Sequence, residues 1–399
     1  MPRPRKTLAS GLGDPLYAIE VPGASQDHAT DLLQDCRYIG SYDWAPSAKK
    51  GNPVIVVPGS PNVWQDLTLP FTLQPDVGIH FRDRNNAILQ GQPFLPLLAA
   101  VNEEQLFPRE EWKTVDFVTD RNGLRKLLRW VVKASGRDFR IDTQLVGDKT
   151  VVLNRREPSV TEKMPGHTFG FHFEEATTRP MPPSNRRSGH HHRIVTYKFG
   201  RFRIVVQFEV DACLSREQAS TSNSEEDELI NAMAGMGLQS QAQGMTSGAT
   251  ASASTRSGAD SRPKSNLFGM TIYHRGHADI PHSSIVEMAS TSSTIKWDDR
   301  FPQLYFSQTG NHHLGHHQGG VFDRIDKLTL SSPKLQAVHQ KLRPAFAKLE
   351  EALGQIQSIL VEHGKEERLS LIYEKKELKV YRCPNQSSSF PPEALALFD

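Results

Sequence analysis

A single α+β domain, with mixed β-sheets flanked by helices, is the fold this sequence predicts. Three observations carry that expectation. Period-2 and period-3.6 apolar patterns both occur, but not in the regular βαβ alternation of a doubly wound sheet. At 399 residues the chain is long enough for one large domain. Composition breaks at residues 215–266, where Ser, Ala, Gly, Thr, Gln and Asn dominate, yet strand-like sequence resumes directly afterwards. Such a stretch buries too little apolar area to offset its ordering entropy. It is therefore expected to be a disordered insertion, with 15–214 and 267–399 forming one domain and 1–14 a loose tail.

The elements follow in order. NPVIVVPGSP predicts a strand stopped by Pro58 and Gly59, because proline cannot continue a central ladder. A strand over Val115–Val118 leads into a helix with Leu124, Leu127, Leu128, Val131 and Val132 on one side. RDFRIDTQLVGDKTVVLNRRE predicts a hairpin turning at Gly147 and Asp148. RIVTYKF and RFRIVVQFEVDACL are strands joined tightly at Gly200, and NLFGMTIYHRG and SSIVEMAST are strand-like. Between Pro333 and Gly364, apolar residues at three- and four-residue steps predict a long amphipathic helix, kinked at Pro344 and ended by Gly364. RLSLIYEKKELKVYRC predicts a closing hairpin.

A net charge of +2 excludes a global basic field, so any attraction for phosphate must be local. Three widely spaced cysteines fit a reducing compartment and no disulfide framework, so an intracellular chain is expected. No apolar run approaches the ~20 residues of a membrane helix, and no membrane association is expected. The basic N-terminus, MPRPRKTLASGLG, lacks the apolar core of a secretory signal; it is either a solvated tail or an import signal.

The strand at 201–214 carries an unexpected pair of carboxylates. Phe202, Ile204, Val206, Phe208, Val210, Ala212 and Leu214 share one face, and Glu209 and Asp211 project together from the other. Two carboxylates roughly 6–7 Å apart along a strand suit the ligation of one hard cation, or of two. The same alternation also describes a half-exposed strand whose polar side meets water. Four further residues sit in short motifs: Arg121 opening RNGLRKLL, Glu174 ending GFHFE, Glu287 in SSIVEMAS and Gln303 in RFPQLYFSQTG. Singly, each is explicable as a surface or capping residue.

In that order, an Arg at a helix start, GFHFE, FEVDA, IVEMAS and PQLYFSQT, the sequence from about Thr114 to Phe322 resembles the DXO-like (RAI-type) decapping nuclease family. The resemblance implies a PD-(D/E)xK-like nuclease core binding one or two Mg²⁺ or Mn²⁺ ions and acting on RNA 5′ ends. It implies removal of incomplete or non-canonical caps such as NAD, with 5′–3′ exoribonuclease activity in some members. Glu174, Glu209, Asp211, Glu287 and the Met288 backbone carbonyl would ligate metal. Glu209, Asp211, Glu287 and Gln303 would be catalytic, and Arg121, Glu174 and Gln303 would bind substrate. A location in the nucleus rather than the cytoplasm is implied too.

One position departs from the pattern. The family's fourth motif carries a Lys two residues after its Glu, where this chain has Ala289. That Lys orients water and stabilises developing charge, an effect worth roughly a hundredfold. Lys296, Arg125, Lys126 and His172 are the candidate replacements. Ala289 also raises an alternative, a weakly active or inactive relative that binds RNA as the partner of a 5′–3′ exoribonuclease; a hydrolase acting on DNA or a nucleotide is a third reading. Among the histidines, HHLGHH places pairs four apart, but Gly310, Asn311 and Gly315 predict a loop rather than a zinc-binding helix. PGSP lacks the Lys and helix start of a phosphate-binding loop. NRRSGHHHR and the basic helix after Arg121 are either solvated faces or the flanks of an RNA channel.

Overall fold

The computed structural model describes residues 8–23, 31–133, 138–182, 190–219, 263–275, 280–384 and 386–399. Most of the expected insertion (220–262) and half of the expected tail (1–7) lie outside these. Sequence-regular structure resumes earlier than expected, with a strand at Pro263–Leu267 pairing antiparallel with Met270–His274. The polar composition of PKSNL hid that strand, whose position comes from its partner rather than from its own apolar pattern.

Two mixed sheets organise the chain, as the sequence predicts. The larger has twelve strands among the described residues, and Thr150–Arg156, Phe117–Asp120, Phe202–Val210, His191–Phe199 and Leu33–Trp44 run through its middle. Phe117–Asp120 lies parallel to both of its neighbours, while Phe202–Val210 is antiparallel to His191–Phe199. The smaller sheet, of seven strands among the described residues, contains Ala212–Cys213, Ile285–Thr291, Asn311–Gln318 and Val321–Thr329 as neighbours.

The large sheet is buried on both faces. Helices Arg121–Val131, Trp297–Ser307 and Pro333–His363 cover one, packing Leu124, Leu304 and Leu353 onto Ile204, Val206 and Phe208. Helix Leu95–Glu104 covers the other, with Leu98 and Val101 joining Val205 and Ile194. This corrects the half-exposed reading of strand 201–214, because Val205 and Gln207 are buried as well. A sheet covered on both faces tolerates few polar side chains along its strands. The run also breaks: Phe202–Val210 belongs to the large sheet and Ala212–Cys213 to the small one. Asp211 is thus the residue at which the chain changes sheets.

Several boundaries shift by a few residues. The strand expected at 115–118 is Phe117–Asp120, and Val132 lies just past its helix, 44% exposed. The long helix spans 31 residues, contains Pro344 and ends at Gly364, whose φ is +77°. HHLGHH is not a loop but part of strand Asn311–Gln318. Gly315 is there for space, since a Cβ would meet the Phe173 ring at 2.6 Å and the Phe322 ring at 2.9 Å.

Candidate active site at the junction of the two sheets

Asp120 and Arg121 show how local sequence places a functional group. Asp120 caps the helix by accepting from the Gly123 N–H at 2.6 Å. Its strand runs parallel to Phe202–Val210 with Asp120 opposite Gln207, so Arg121 leaves the strand end beside Glu209. Arg121 is 6% exposed, and its Nη1 donates to Glu287 Oε2 at 2.7 Å. Nη2 donates to the Glu209 backbone carbonyl at 3.5 Å, and the guanidinium lies 5.5 Å from the Phe208 ring centroid. The second Glu287 oxygen accepts from the Gln303 side-chain amide. Arg121, Glu287 and Gln303 therefore form one buried hydrogen-bonded unit drawn from three elements.

The other carboxylates gather around that unit. Asp211 Oδ2 accepts from the Met288 backbone N–H at 2.7 Å, which ties the sheet-crossing residue to the Glu287 strand. Burial, and then the charge of Glu287, drive the Asp211 pKa well above the usual carboxylate range. Glu174 lies on helix Gly170–Ala176, which is anchored by Phe173 stacked 5.0 Å from Phe322. Burial, followed by the charges of Asp211, Glu209 and Glu287, likewise raises Glu174 strongly. Half of the Glu209 side chain meets solvent, but protein crowds its carboxylate and this desolvation pushes its pKa up. A 2.6 Å hydrogen bond with His190 Nδ1, with further help from His192 and Arg121, outweighs that push and holds Glu209 down at about 2. The geometry thus brings all four predicted acidic residues to one place, together with Arg121 and Gln303. Met288 takes part through its N–H.

Of the proposed replacements for the missing Lys, Arg125 alone feels the charges of Arg121 and Glu287, and the others are held away from the carboxylates. Lys126 pairs with Glu157 at 3.1 Å, and the His172 ring bonds the Gln74 carbonyl at 2.7 Å. Lys296 is exposed at the start of helix Trp297–Ser307. Arg125 is engaged by Asn122 at 2.9 Å and by the Asp299 carbonyl at 3.3 Å; burial draws its pKa down to about 9. Ala289 is buried and brings no charge.

Three residues that do reach the site carried little sequence signal. His190 and His192 share parity, and His192 sits opposite Glu209 in the ladder; in sequence they belong to NRRSGHHHR, which reads equally as a solvated face or the flank of an RNA channel. The His192 ring stacks on Tyr42 at 4.8 Å. Arg84, from the short helix Arg84–Leu89, feels the charge of Glu209 across a gap in sequence that no motif spans.

The donor chemistry fits a hard divalent cation. Four carboxylates crowd together, and two of them are forced toward their protonated forms by burial and mutual repulsion, which bound positive charge relieves. Among the described residues, no three Asp, Glu, His or Cys side chains stand in a group arranged to hold a metal ion. Glu287 is held instead by Arg121 and Gln303, and Glu209 by His190.

The fold so defined is that of the DXO/Rai1 structures. Scheffersomyces stipitis Rai1, solved with (3′-NADP)⁺ and calcium ion, superposes with a TM-score of 0.58 at 9% identity, over 96% of this chain and 99% of that one. S. pombe Rai1 with 3′-FADP gives 0.55 at 11% identity, over 91% and 97%. Candida albicans Rai1 with pU5 and Mn²⁺ gives 0.54 at 11%, over 96% and 98%. The chain itself belongs to the family described as a domain of unknown function (DUF8563), whose model matches residues 24–396. No curated protein matches it by sequence.

Proposed function

We propose that this protein is a metal-dependent hydrolase of RNA 5′ ends, a decapping nuclease that removes non-canonical caps such as NAD and degrades RNA from 5′ to 3′. The observation that carries this reading is the convergence of Glu174, of Glu209 with Asp211, and of Glu287 from three separate segments, in a fold shared with Rai1 proteins solved with nucleotides and divalent ions. Those carboxylates, with the Met288 carbonyl, would hold one or two Mg²⁺ or Mn²⁺ ions. Bound there, the ions would activate water and neutralise the leaving oxygen of a phosphoric ester or anhydride.

The chain's own residues prepare that chemistry. The His190 hydrogen bond keeps Glu209 ionised at neutral pH. Met288 N–H fixes one Asp211 oxygen, and the carboxylate's other oxygen would be a ligand for the ion. Arg121 neutralises Glu287 and stands ready to clamp a phosphate bidentately. The Gln303 amide, already directed at Glu287, is placed to orient the water or the scissile group. Mn²⁺ is expected to give release of NAD or a 5′ nucleotide from capped RNA, read by chromatography of the products. Glu209→Ala combined with Asp211→Ala abolishes it.

Ala289 favours a second reading, in which the chain binds RNA without turnover and serves a 5′–3′ exoribonuclease. Absence of turnover on capped, triphosphate and monophosphate RNA, with activity gained in Ala289→Lys, selects that reading. No heat of Mn²⁺ binding by calorimetry counts against hydrolysis altogether.

A further inference from the structure

A two-stranded ribbon stands beside the carboxylates. Strands Ile79–Phe81 and Thr161–Lys163 pair antiparallel, with Ile79 opposite Lys163, His80 opposite Glu162 and Phe81 opposite Thr161. Side chains alternate across such a ribbon, so its two faces have different composition. One face is occupied: His80 stacks on Phe171 at 3.9 Å, and Glu162 takes Arg82 in an ion pair at 2.6 Å. The other carries Ile79, Phe81, Thr161 and Lys163, with Ile79 72% and Phe81 42% exposed. Its one charged side chain is positive.

Phe81 also connects this face to the site. The Arg84 guanidinium lies 5.0 Å from its ring centroid, and His190 meets the ring edge-on at 5.8 Å. The same His190 bonds Glu209 at 2.6 Å. One imidazole therefore separates an exposed, cation-flanked aromatic ring from the carboxylate cluster.

We infer that this ribbon face is a stacking platform for the bases of a single-stranded RNA whose 5′ end lies at the carboxylates, with Phe81 as the principal ring. Single strands alternate flat bases with phosphates, and the face matches that alternation with a ring and an aliphatic side chain set among Lys163 and Arg84. An apolar protein partner would leave those cations desolvated and unpaired. Stacking is tolerant of base identity, which suits an enzyme that meets many 5′ ends.

The inference rests on the proposed RNA-end reading, but its test is separate from that of catalysis. Binding of a 3′-labelled, 5′-monophosphate oligoadenylate to the full chain is followed by fluorescence anisotropy in Ca²⁺, against an abasic ribose-phosphate oligomer of equal length. The natural chain is expected to prefer the base-bearing oligomer by about tenfold or more. Phe81→Ala removes that preference and Phe81→Trp keeps it. Equal affinity of the natural chain for the two oligomers, or an unchanged preference in Phe81→Ala, overturns the platform and leaves the face to a protein. A ring-dependent preference in a chain that hydrolyses no RNA end upholds the platform and sinks the proposed reaction. Hydrolysis without that preference does the reverse.

Discussion

Arg121 and Glu287 form a buried ion pair, 8% and 4% exposed at their side chains, and the energetics of such pairs are asymmetric. Removing one partner strands a charge in low dielectric, whereas removing both returns much of the loss. Arg121→Met is therefore expected to destabilise the metal-free protein by about 3–5 kcal/mol. Arg121→Met with Glu287→Met should cost less than the sum of the single changes, as urea denaturation would show; additive losses would mean that the pair does not couple. At this scale the sequence was informative about identity and silent about partnership. Arg121, Glu174, Glu209, Asp211, Glu287 and Gln303 were all singled out, because their order along the chain resembles a family pattern. That Gln303 donates to Glu287, and that His190 steadies Glu209, depends on side chains 16 and 19 residues apart meeting in space.

At the level of elements, strand Asn311–Gln318 links the site to the small sheet. It lies parallel to the Glu287 strand, and His312 Nδ1 bonds the Glu287 carbonyl at 2.9 Å. Gly315 lets the Phe173 ring, and with it the helix bearing Glu174, approach this strand closely. Gly315→Ala should overpack that contact at a cost of about 1–3 kcal/mol, seen as a lower melting temperature. Because the strain falls on the Glu174 helix, Mn²⁺ affinity should fall as well; an unchanged melting temperature and affinity would show that the rings can move aside. This strand was misread as a loop because glycine, asparagine and four histidines imitate turn composition. Glycine in a strand also marks close approach of a neighbour, and which meaning applies is settled only by what packs there.

Over the whole molecule, burial keeps several histidines neutral. Desolvation lowers His282 and His312 to about 4 and His313 to about 3, all below the usual imidazole value of about 6.5. Between those values the unfolded chain binds protons that the folded chain does not, so stability rises with pH and falls on acidification. Chemical denaturation should show the histidine contribution as a loss of stability between about pH 6 and pH 4, partly offset in the metal-free protein by Asp211 and Glu174, whose raised pKa values act in the opposite sense. His313→Phe, which removes one such group, should flatten the slope relative to the natural chain; identical slopes in the two proteins would contradict the burial argument.

The sequence alone determined the class of fold, the long helix with its glycine end and the hairpins, and its motif order singled out six polar residues that the fold brings together. These are written in local periodicity, in turn chemistry and in a motif order that survives without tertiary information. Only the tertiary structure decided that strand 201–214 is covered on both faces and changes sheets at Asp211, that a polar segment forms the edge strand Pro263–Leu267, and that His190, His192 and Arg84 stand beside Glu209. Each of these depends on what lies across a sheet or above it. Burial and electrostatic environment belong to neighbours in space, and a linear pattern names only neighbours along the chain.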